Sequence, residues 1–106
     1  MPEWIDRVPY NSGTVDLYAP ETAGVYRLIY KSNDDYYVFY VGQSDNLKER
    51  LKDHLSPGEP NECIKNHLKN HDCFFRYIEI GTQSERDRIE REEIDHWKPS
   101  CNAVSG

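Results

Sequence analysis

Two tyrosines, an arginine, a histidine and a glutamate are the residues of this chain whose types and spacing could carry chemistry. The tyrosines lie in the tripeptides Gly24-Val25-Tyr26 and Tyr40-Val41-Gly42, and the other three residues are Arg50, His54 and Glu90. A guanidinium matches phosphate oxygens in a bidentate way and keeps its charge, and a carboxylate can hold a divalent cation. These side chains could therefore stabilise the charge that develops in phosphoryl transfer.

Glu90 is expected on the inward side of a helix. Glu90, Ile94 and Trp97 have the i, i+4, i+7 spacing of one helix face, and the other two members of this stripe are apolar. Because an unpaired buried carboxylate is costly, we expect Glu90 to be paired, hydrogen-bonded, bound to a metal or at the mouth of a cleft. A simple i, i+4 ion pair with Arg86 is the alternative.

Arg50 and His54 are also i, i+4 partners, on a helix that is predicted to start just after Gly42. Both side chains could reach over the face that carries the tyrosines. The alternatives are an ion pair of Arg50 with Glu49 or Asp53 on the surface and an ordinary, partly buried histidine at position 54.

The two tyrosines are positioned by a predicted β-hairpin. Residues 24–31 and 36–42 are rich in aromatic and β-branched types, and residues 32–35 have the composition of a turn. If Lys31 pairs with Asp35 across a three-residue loop, in which Asn33 or Asp34 takes positive φ, Tyr26 lies directly opposite Tyr40. Both rings then share a face, and a register shifted by one residue would separate them.

The remaining elements complete the order β-β-α-α-β-α. After the hairpin, a helix capped by Ser44 or Asp45 is expected to bury Leu47, Leu51 and Leu55. A second helix over about 62–70 and a strand over 73–80 follow. The last helix is expected to begin with a capping box of Ser84 and Asp87 and to stop before Pro99.

This order predicts an α+β fold, a small single domain in which helices flank a central, three-stranded, mostly antiparallel sheet. Residues 1–20 are expected to be an N-terminal arm, irregular or with a short edge strand, packed on the domain of residues 21–106.

The net charge of −6 is unfavourable for binding a polyanion. The most basic part is residues 46–76, with six basic and five acidic side chains. The candidate phosphate contacts there are Lys48, Arg50, Lys52, Lys65, Lys69 and Arg76, with His67 and His71 when protonated. We find no apolar stretch of membrane-spanning length and no signal peptide, and therefore expect a cytoplasmic protein without membrane contacts.

Three cysteines in a chain without a secretion signal argue against a disulfide framework and for free thiols or a metal site. Cys63, His67, His71 and Cys73 are four residue types that bind zinc. Their spacing lacks the usual pairing of zinc ligands, and four side chains spaced in this way are difficult to bring to one ion. We therefore do not expect a structural zinc site here, and interpret the cluster as exposed histidines beside a small buried cysteine.

Together these positions resemble the GIY-YIG nuclease superfamily over residues 21–102. Residues 24–26 and 40–42 match its two motifs, and Arg50 follows Tyr40 by ten residues, as the arginine of the family's helix does. The series Glu90, Ile94, Pro99 and Asn102 is similar to the family's closing pattern. The spacing is similar to that of the member that makes one incision in bacterial nucleotide excision repair. Gln43 stands where several relatives carry a lysine.

The resemblance implies a nuclease that cuts one phosphodiester bond with a single divalent cation, Mg²⁺ or Mn²⁺, held by Glu90. Tyr26 would be the general base or would orient the attacking water, and its pKa near 10 would have to be lowered by Arg50 and the metal. Arg50 would clamp the phosphate, Tyr40 would position water or phosphate, and Asn102 would fix the floor of the site. His54 would assist proton transfer or bind phosphate, and Lys48, Lys52 and Gln43 would join Arg50 in contacting the substrate.

Two functional classes follow from this resemblance. The first is a metal-dependent endonuclease acting on DNA, directed by structure or damage or delivered by a protein partner, because the acidic chain carries no appended DNA-binding domain. The second is a module that keeps the fold without hydrolytic activity and binds nucleic acid or a protein. The sequence does not specify an oligomeric state.

Overall fold

The computed structural model of the chain describes residues 3–102. It contains four strands, β1 (Val8–Pro9), β2 (Gly24–Ser32), β3 (Asp35–Ser44) and β4 (Asp72–Glu79). These form one antiparallel sheet in the order β1-β4-β2-β3. The helices are α1 (Ser12–Tyr18), α2 (Leu47–Leu55), α3 (Glu62–Asn70) and α4 (Gln83–Trp97). The predicted α+β fold is confirmed, and the very short β1 adds a fourth strand to the expected three.

The β2–β3 hairpin has a different register from the predicted one. Ser32 pairs with Asp35 across a two-residue turn in which Asn33 and Asp34 both have positive φ, 52° and 69°. This is the backbone that the right-handed twist of a tight hairpin favours. The prediction of a three-residue loop was therefore wrong.

A bulge in β3 adds a second shift. Leu28 pairs with Tyr40, but the next residue, Ile29, pairs with Val38, so that Phe39 has no partner on β2. Tyr26 consequently pairs with Gly42, so the prediction that it lies directly opposite Tyr40 was wrong. Because two one-residue shifts restore the alternation of side chains, both phenol rings still lie on the same face, with centroids 6.2 Å apart.

The last described residues dock on the open edge of β3. Phe39, freed by the bulge, accepts a hydrogen bond through its carbonyl from the backbone N–H of Cys101 at 2.8 Å. The carboxamide of Asn102 accepts from the N–H of Val41 and donates to its carbonyl, both at 2.8 Å. Asn102 thus pairs with Val41 as a further strand would.

The sheet divides the core into two parts. On one face, α1, α2 and α3 pack against β2 and β4 around fully buried side chains that include Val15, Leu28, Leu51, Ile64 and Phe75. On the other face, α4 packs against Val25, Val41 and Ile78 through Ile89 and Ile94. Tyr26 belongs to the first face, and Glu90 approaches from the helix on the second.

The helix boundaries agree with the predictions better than the caps do. Asn46, not Ser44 or Asp45, caps α2, and the N-cap of α4 is Thr82, which makes no side-chain hydrogen bond, in place of the predicted capping box at Ser84. Helix α1 was missed within residues 1–20, although Asn11 and Thr14 form a capping box that begins it. Among residues 3–102, no helix has the length and hydrophobicity to cross a membrane.

Cys63 on α3 and Cys101 form a disulfide bond, with their Cα atoms 5.3 Å apart. The expectation of free thiols was therefore wrong for these two residues, and Cys73 is the free cysteine. The pairing could not be read from spacing, because it depends on the C-terminal segment folding back over the edge of β3. The disulfide links the residue before Asn102 covalently to α3.

We expect reduction of this disulfide to destabilise the chain. It closes a loop with a sequence separation of 38 residues, and the chain-entropy estimate for such a loop is about 4 kcal/mol. Denaturant unfolding with and without reductant should show a lower midpoint for the reduced chain. The double variant Cys63→Ser/Cys101→Ser is the control, because its midpoint should not respond to reductant. Equal midpoints for the oxidised and reduced wild type would contradict the prediction.

Candidate active site

Tyr26 is almost fully buried, and its ring lies over Gly42 of the neighbouring strand. A Cβ atom built on Gly42 would lie 2.6 Å from Cζ of Tyr26 and 2.9 Å from Cε2 of Tyr40, both shorter than real carbon contacts. The glycine of the second motif therefore makes room for the two phenols. Its role is steric, since its φ is not positive.

We expect Gly42→Ala to displace both phenol rings. Overpacking of this kind costs roughly 1–3 kcal/mol of stability, and it moves the hydroxyl groups on which the site depends. Thermal unfolding and cleavage assays should both show a loss. Gly58→Ala is the matched control, because nothing lies within 4 Å of a Cβ at position 58. The steric explanation would be wrong if the two variants behaved alike.

The hydroxyl of Tyr26 meets a histidine that is held by a carboxylate. Tyr26 Oη lies 2.7 Å from Nε2 of His54, and Nδ1 of His54 lies 2.6 Å from Oε2 of Glu59. Glu59 also accepts a hydrogen bond from the backbone N–H of Asn61 at 3.0 Å through its other oxygen. All three side chains of this series, Tyr26, His54 and Glu59, are buried. Sequence analysis missed Glu59, which lies in a loop between two prolines where no periodic pattern applies.

Burial dominates the electrostatics of this series. It raises the pKa of Tyr26 above its ordinary value, helped by the neighbouring Tyr40 and opposed by the positive charge of Arg50. The expected lowering of the pKa of Tyr26 by Arg50 is present, but it is smaller than the effect of burial. Burial and Arg50 together lower the pKa of His54, against the opposing effect of Glu59. At neutral pH the protein thus holds a neutral phenol beside a neutral imidazole.

Arg50 is half-buried beside both tyrosines. Its charge lowers the pKa of Tyr26 and Tyr40, although in each case burial, which raises the pKa, is the larger effect. In the described part of the chain Arg50 forms no ion pair, so the alternative of a surface pair with Glu49 or Asp53 is not what the structure has. A half-buried guanidinium without a carboxylate partner is suited to receive an anion.

Glu90 approaches the site from α4 and is half-buried. Its Oε1 accepts a hydrogen bond from Nε2 of Gln43 at 3.0 Å, and the same amide nitrogen donates to Oδ1 of Asp87 at 2.8 Å. The charge of Glu90 also contributes to raising the pKa of Tyr40, after the effects of burial and Arg50. Arg86, the alternative partner, donates instead to the carbonyl of Ile80 and to Gln83. Glu90 is therefore hydrogen-bonded rather than paired with a cation among residues 3–102.

The donor atoms around Glu90 fit a small divalent cation. The carboxylate oxygens of Glu90 and Asp87 converge on one amide group, that of Gln43. Mg²⁺ prefers oxygen ligands and is commonly held by one or two carboxylates while it keeps several water molecules. The oxygen donors present at this edge of the sheet are therefore of the type that Mg²⁺ or Mn²⁺ takes.

The other predicted substrate contacts differ in their surroundings. Lys48 is half-buried on α2, whereas Lys52 is exposed and bridges to Asp16 of α1 at 2.8 Å. The Nε of Arg76 donates to the carbonyl of Ile5 at 2.7 Å.

The cysteine–histidine cluster has a different composition from the one considered in the sequence. Nitrogen or sulfur atoms of Cys63, His67 and Cys101 lie within 4.8 Å of one another, with Cys101 in the place of Cys73. The two sulfur atoms are bonded to each other and hence are not thiolate ligands. The predicted exposed histidines are in fact half-buried, since His67 and His71 each pack on the ring of Tyr30 at 4.5 Å between centroids.

Cys73 is unsuited to bind a metal in this arrangement. Its thiol donates to the carbonyl oxygens of His67 and His71, at 3.3 and 3.6 Å. Burial raises its pKa to about 12, so the thiolate form is disfavoured.

Comparison with known proteins identifies both the family and the fold. The family model described as the GIY-YIG catalytic domain matches residues 22–102. The chain is 30% identical over 86 residues to UvrABC system protein C of Rickettsia rickettsii (strain Sheila Smith), and 28% identical over 95 residues to that of Protochlamydia amoebophila. These alignments cover 81% and 90% of this chain but only 13% and 15% of the relatives.

A solved structure has a similar fold. It is the GIY-YIG N-terminal endonuclease domain of UvrC from Thermotoga maritima, bound to its catalytic divalent cation, magnesium. The two chains are 26% identical with a TM-score of 0.64, and the match covers 85% of this chain and 93% of the other. The likeness therefore extends over almost the whole of that domain.

Proposed function

Because the chain belongs to the GIY-YIG family, we propose that it is a divalent-metal-dependent endonuclease that hydrolyses a phosphodiester bond in DNA. The observation that carries this proposal is the arrangement around Arg50. Among residues 3–102 this arginine has no carboxylate partner, and it lies beside two tyrosines, one of which, Tyr26, is hydrogen-bonded to His54. The carboxylate of Glu90, at the same edge of the sheet, contributes to raising the pKa of the second tyrosine, Tyr40.

In this proposal each side chain has one task. Tyr26 orients the attacking water and accepts its proton, and Tyr40 positions water or phosphate by its hydroxyl. Arg50 binds the phosphate oxygens and stabilises the charge that grows on them in the transition state. Asn102 fixes the edge of β3, and so the distance between the two motifs. Glu90 would hold the Mg²⁺ or Mn²⁺ ion, which when bound polarises the phosphate and stabilises the leaving oxygen.

The net charge of the chain affects how strongly it binds DNA. A net charge of −6 disfavours tight binding to DNA by the chain alone. Gln43, where several relatives carry a lysine, is neutral and already bonded to Glu90. We therefore propose that Lys48 and Lys52 supply weak phosphate contacts and that a protein partner or a particular DNA structure directs the chain to its site. The UvrABC relatives, whose name denotes a multi-protein system, support delivery by a partner.

The test is a nuclease assay with single-stranded, duplex and branched DNA and RNA in Mg²⁺ or Mn²⁺. Wild type should nick at least one DNA substrate, whereas Tyr26→Phe and Glu90→Gln should not. Identical behaviour of the wild type and both variants would overturn the hydrolytic function. Retained DNA binding in that case would favour the second class, a module that binds without cutting.

A further inference from the structure

We infer that Glu59 is a positioning residue, which holds His54 ready to take the proton of Tyr26 and so completes a three-residue proton relay. This inference rests on the proposed function and deepens it by assigning where the proton from the attacking water goes. Glu59 lies outside the family's two motifs, and its contacts with His54 and Asn61 are within this chain.

The geometry of the relay is continuous. Two short contacts, 2.7 Å from Tyr26 to His54 and 2.6 Å from His54 to Glu59, link the reacting phenol to a carboxylate that is 4% exposed. A buried carboxylate is costly unless it is hydrogen-bonded. Glu59 meets this requirement with one oxygen on His54 and the other on the N–H of Asn61.

The chemistry of the three groups fixes the direction of the hydrogen bonds. An ionised carboxylate only accepts hydrogen bonds, so Nδ1 of His54 must carry a proton and donate to Glu59. In a neutral imidazole Nε2 then has a free lone pair, which accepts a hydrogen bond from the hydroxyl of Tyr26. This is the orientation that a base needs in order to remove the phenol's proton.

One proton-transfer step follows from this arrangement. As water attacks phosphorus, the new P–O bond forms while the P–O bond to the leaving oxygen breaks, and the leaving oxygen takes a proton from solvent. An O–H bond of the attacking water breaks, and its proton moves to the oxygen of Tyr26. The original O–H bond of Tyr26 breaks at the same time, and that proton binds Nε2 of His54. Tyr26 ends as a neutral phenol and His54 as an imidazolium stabilised by Glu59, and the imidazolium later returns its proton to solvent. The step never leaves a buried phenolate, which burial disfavours.

The first test reads the tautomer of His54 directly. Long-range ¹H–¹⁵N correlation spectra of the histidine rings should show a neutral His54 that is protonated at Nδ1 in the wild-type chain. A neutral His54 protonated at Nε2 would overturn the inference. This measurement needs no nuclease activity and no variant.

The variant Glu59→Gln should invert the tautomer. The N–H of Asn61 requires an acceptor, so the amide oxygen of Gln at position 59 should stay on it and turn the NH₂ group towards His54. Nδ1 would then accept, and Nε2 would carry the proton that faces Tyr26. Cleavage at the pH optimum should fall by roughly 10²-fold, as expected when a general base has the wrong tautomer.

The pH profile separates a relay from a structural role. The charged and titratable groups that face His54 are Tyr26 of β2, Tyr40 of β3, Arg50 and Asp53 of α2, and Glu59 of the following loop. Glu59 acts to raise the pKa of His54. Because His54 must be neutral to accept a proton, the acid limb of the rate profile in Glu59→Gln should move to lower pH while the maximum rate falls.

The controls complete the design. Glu59→Asp keeps a carboxylate and should keep the acid limb of the wild type, and Glu62→Gln removes an exposed carboxylate on α3 and should change nothing. A lower maximum with an unshifted acid limb in Glu59→Gln would assign Glu59 a purely structural role and overturn the relay. If Glu59→Gln does not fold, the tautomer of the wild type decides. A wild-type chain that cuts no substrate would overturn the proposed function, while the spectra would still decide whether Glu59 sets the tautomer.

Discussion

Replacing Glu90 with glutamine is expected to lower the rate of DNA cleavage by at least about 10³-fold, because losing the proposed metal ligand would remove several kcal/mol of charge stabilisation. The substitution keeps the shape of the side chain and its hydrogen-bonding capacity towards Gln43, so the fold should be unaffected. Single-turnover cleavage in saturating Mg²⁺ measures the loss. Broadening of amide resonances by Mn²⁺ measures metal binding separately, and should disappear near Glu90 in the variant.

Glu92→Gln is the matched control for this experiment. Glu92 lies two residues further along α4, is exposed and pairs with Arg88 at 2.9 Å. Exposed pairs of this kind contribute about 0–1 kcal/mol, so the variant should cleave like the wild type. If Glu90→Gln cleaved DNA as fast as Glu92→Gln, Glu90 could not be the metal ligand.

Truncating Arg50 to alanine is expected to lower kcat/KM by roughly 10²- to 10³-fold, the cost of removing one group that stabilises developing charge in a transition state. Arg50 lies beside both phenols and has no ion-pair partner among residues 3–102, so its charge is available to a phosphate. Most of the loss should appear in kcat, because the charge on the phosphate is greatest in the transition state. Cleavage rates at saturating and at low substrate concentration separate the two parameters.

Two further variants define what Arg50 does. Arg50→Lys keeps the charge but loses the planar, bidentate geometry, and should recover only part of the activity. Arg88→Ala removes an arginine that is engaged with Glu85 and Glu92 on the outer face of α4, and should leave cleavage unchanged. A loss confined to KM would show that Arg50 binds substrate without stabilising the transition state.

Local patterns predicted the strands and helices well, because aromatic and β-branched residues are frequent in β2, β3 and β4 and because the leucine spacing in α2 reflects burial on one face. The register of the hairpin was harder to predict. The register depends on a turn with two residues of positive φ and on a bulge at Phe39, which no residue type in the sequence indicates. The shared face of Tyr26 and Tyr40 was predicted correctly through an incorrect register, since two shifts of one residue cancel in a pattern of period two.

Contacts between distant parts of the chain were the least predictable. The inward position of Glu90 follows from helix periodicity, whereas its bond to Gln43 requires knowledge of how α4 crosses β3. Glu59 and the disulfide to Cys101 arise in loops and in the C-terminal segment, where no repeating pattern constrains a side chain. Helix α1 had a readable signal in Asn11 and Thr14, but the sequence from Asn11 to Gly13 has the composition of a turn as well.

The amide of Asn102 has a consequence for how copies of this chain meet one another. The outer strand of a sheet is a template on which a neighbouring molecule can add its own strand, and proteins commonly cover such strands. Asn102 is hydrogen-bonded to both the backbone N–H and the carbonyl of Val41, and the N–H of Cys101 donates to the carbonyl of Phe39. The C-terminal segment therefore occupies the central pairing positions of β3. The asparagine of the proposed catalytic centre therefore also blocks the addition of a neighbouring strand at the β3 edge of the sheet.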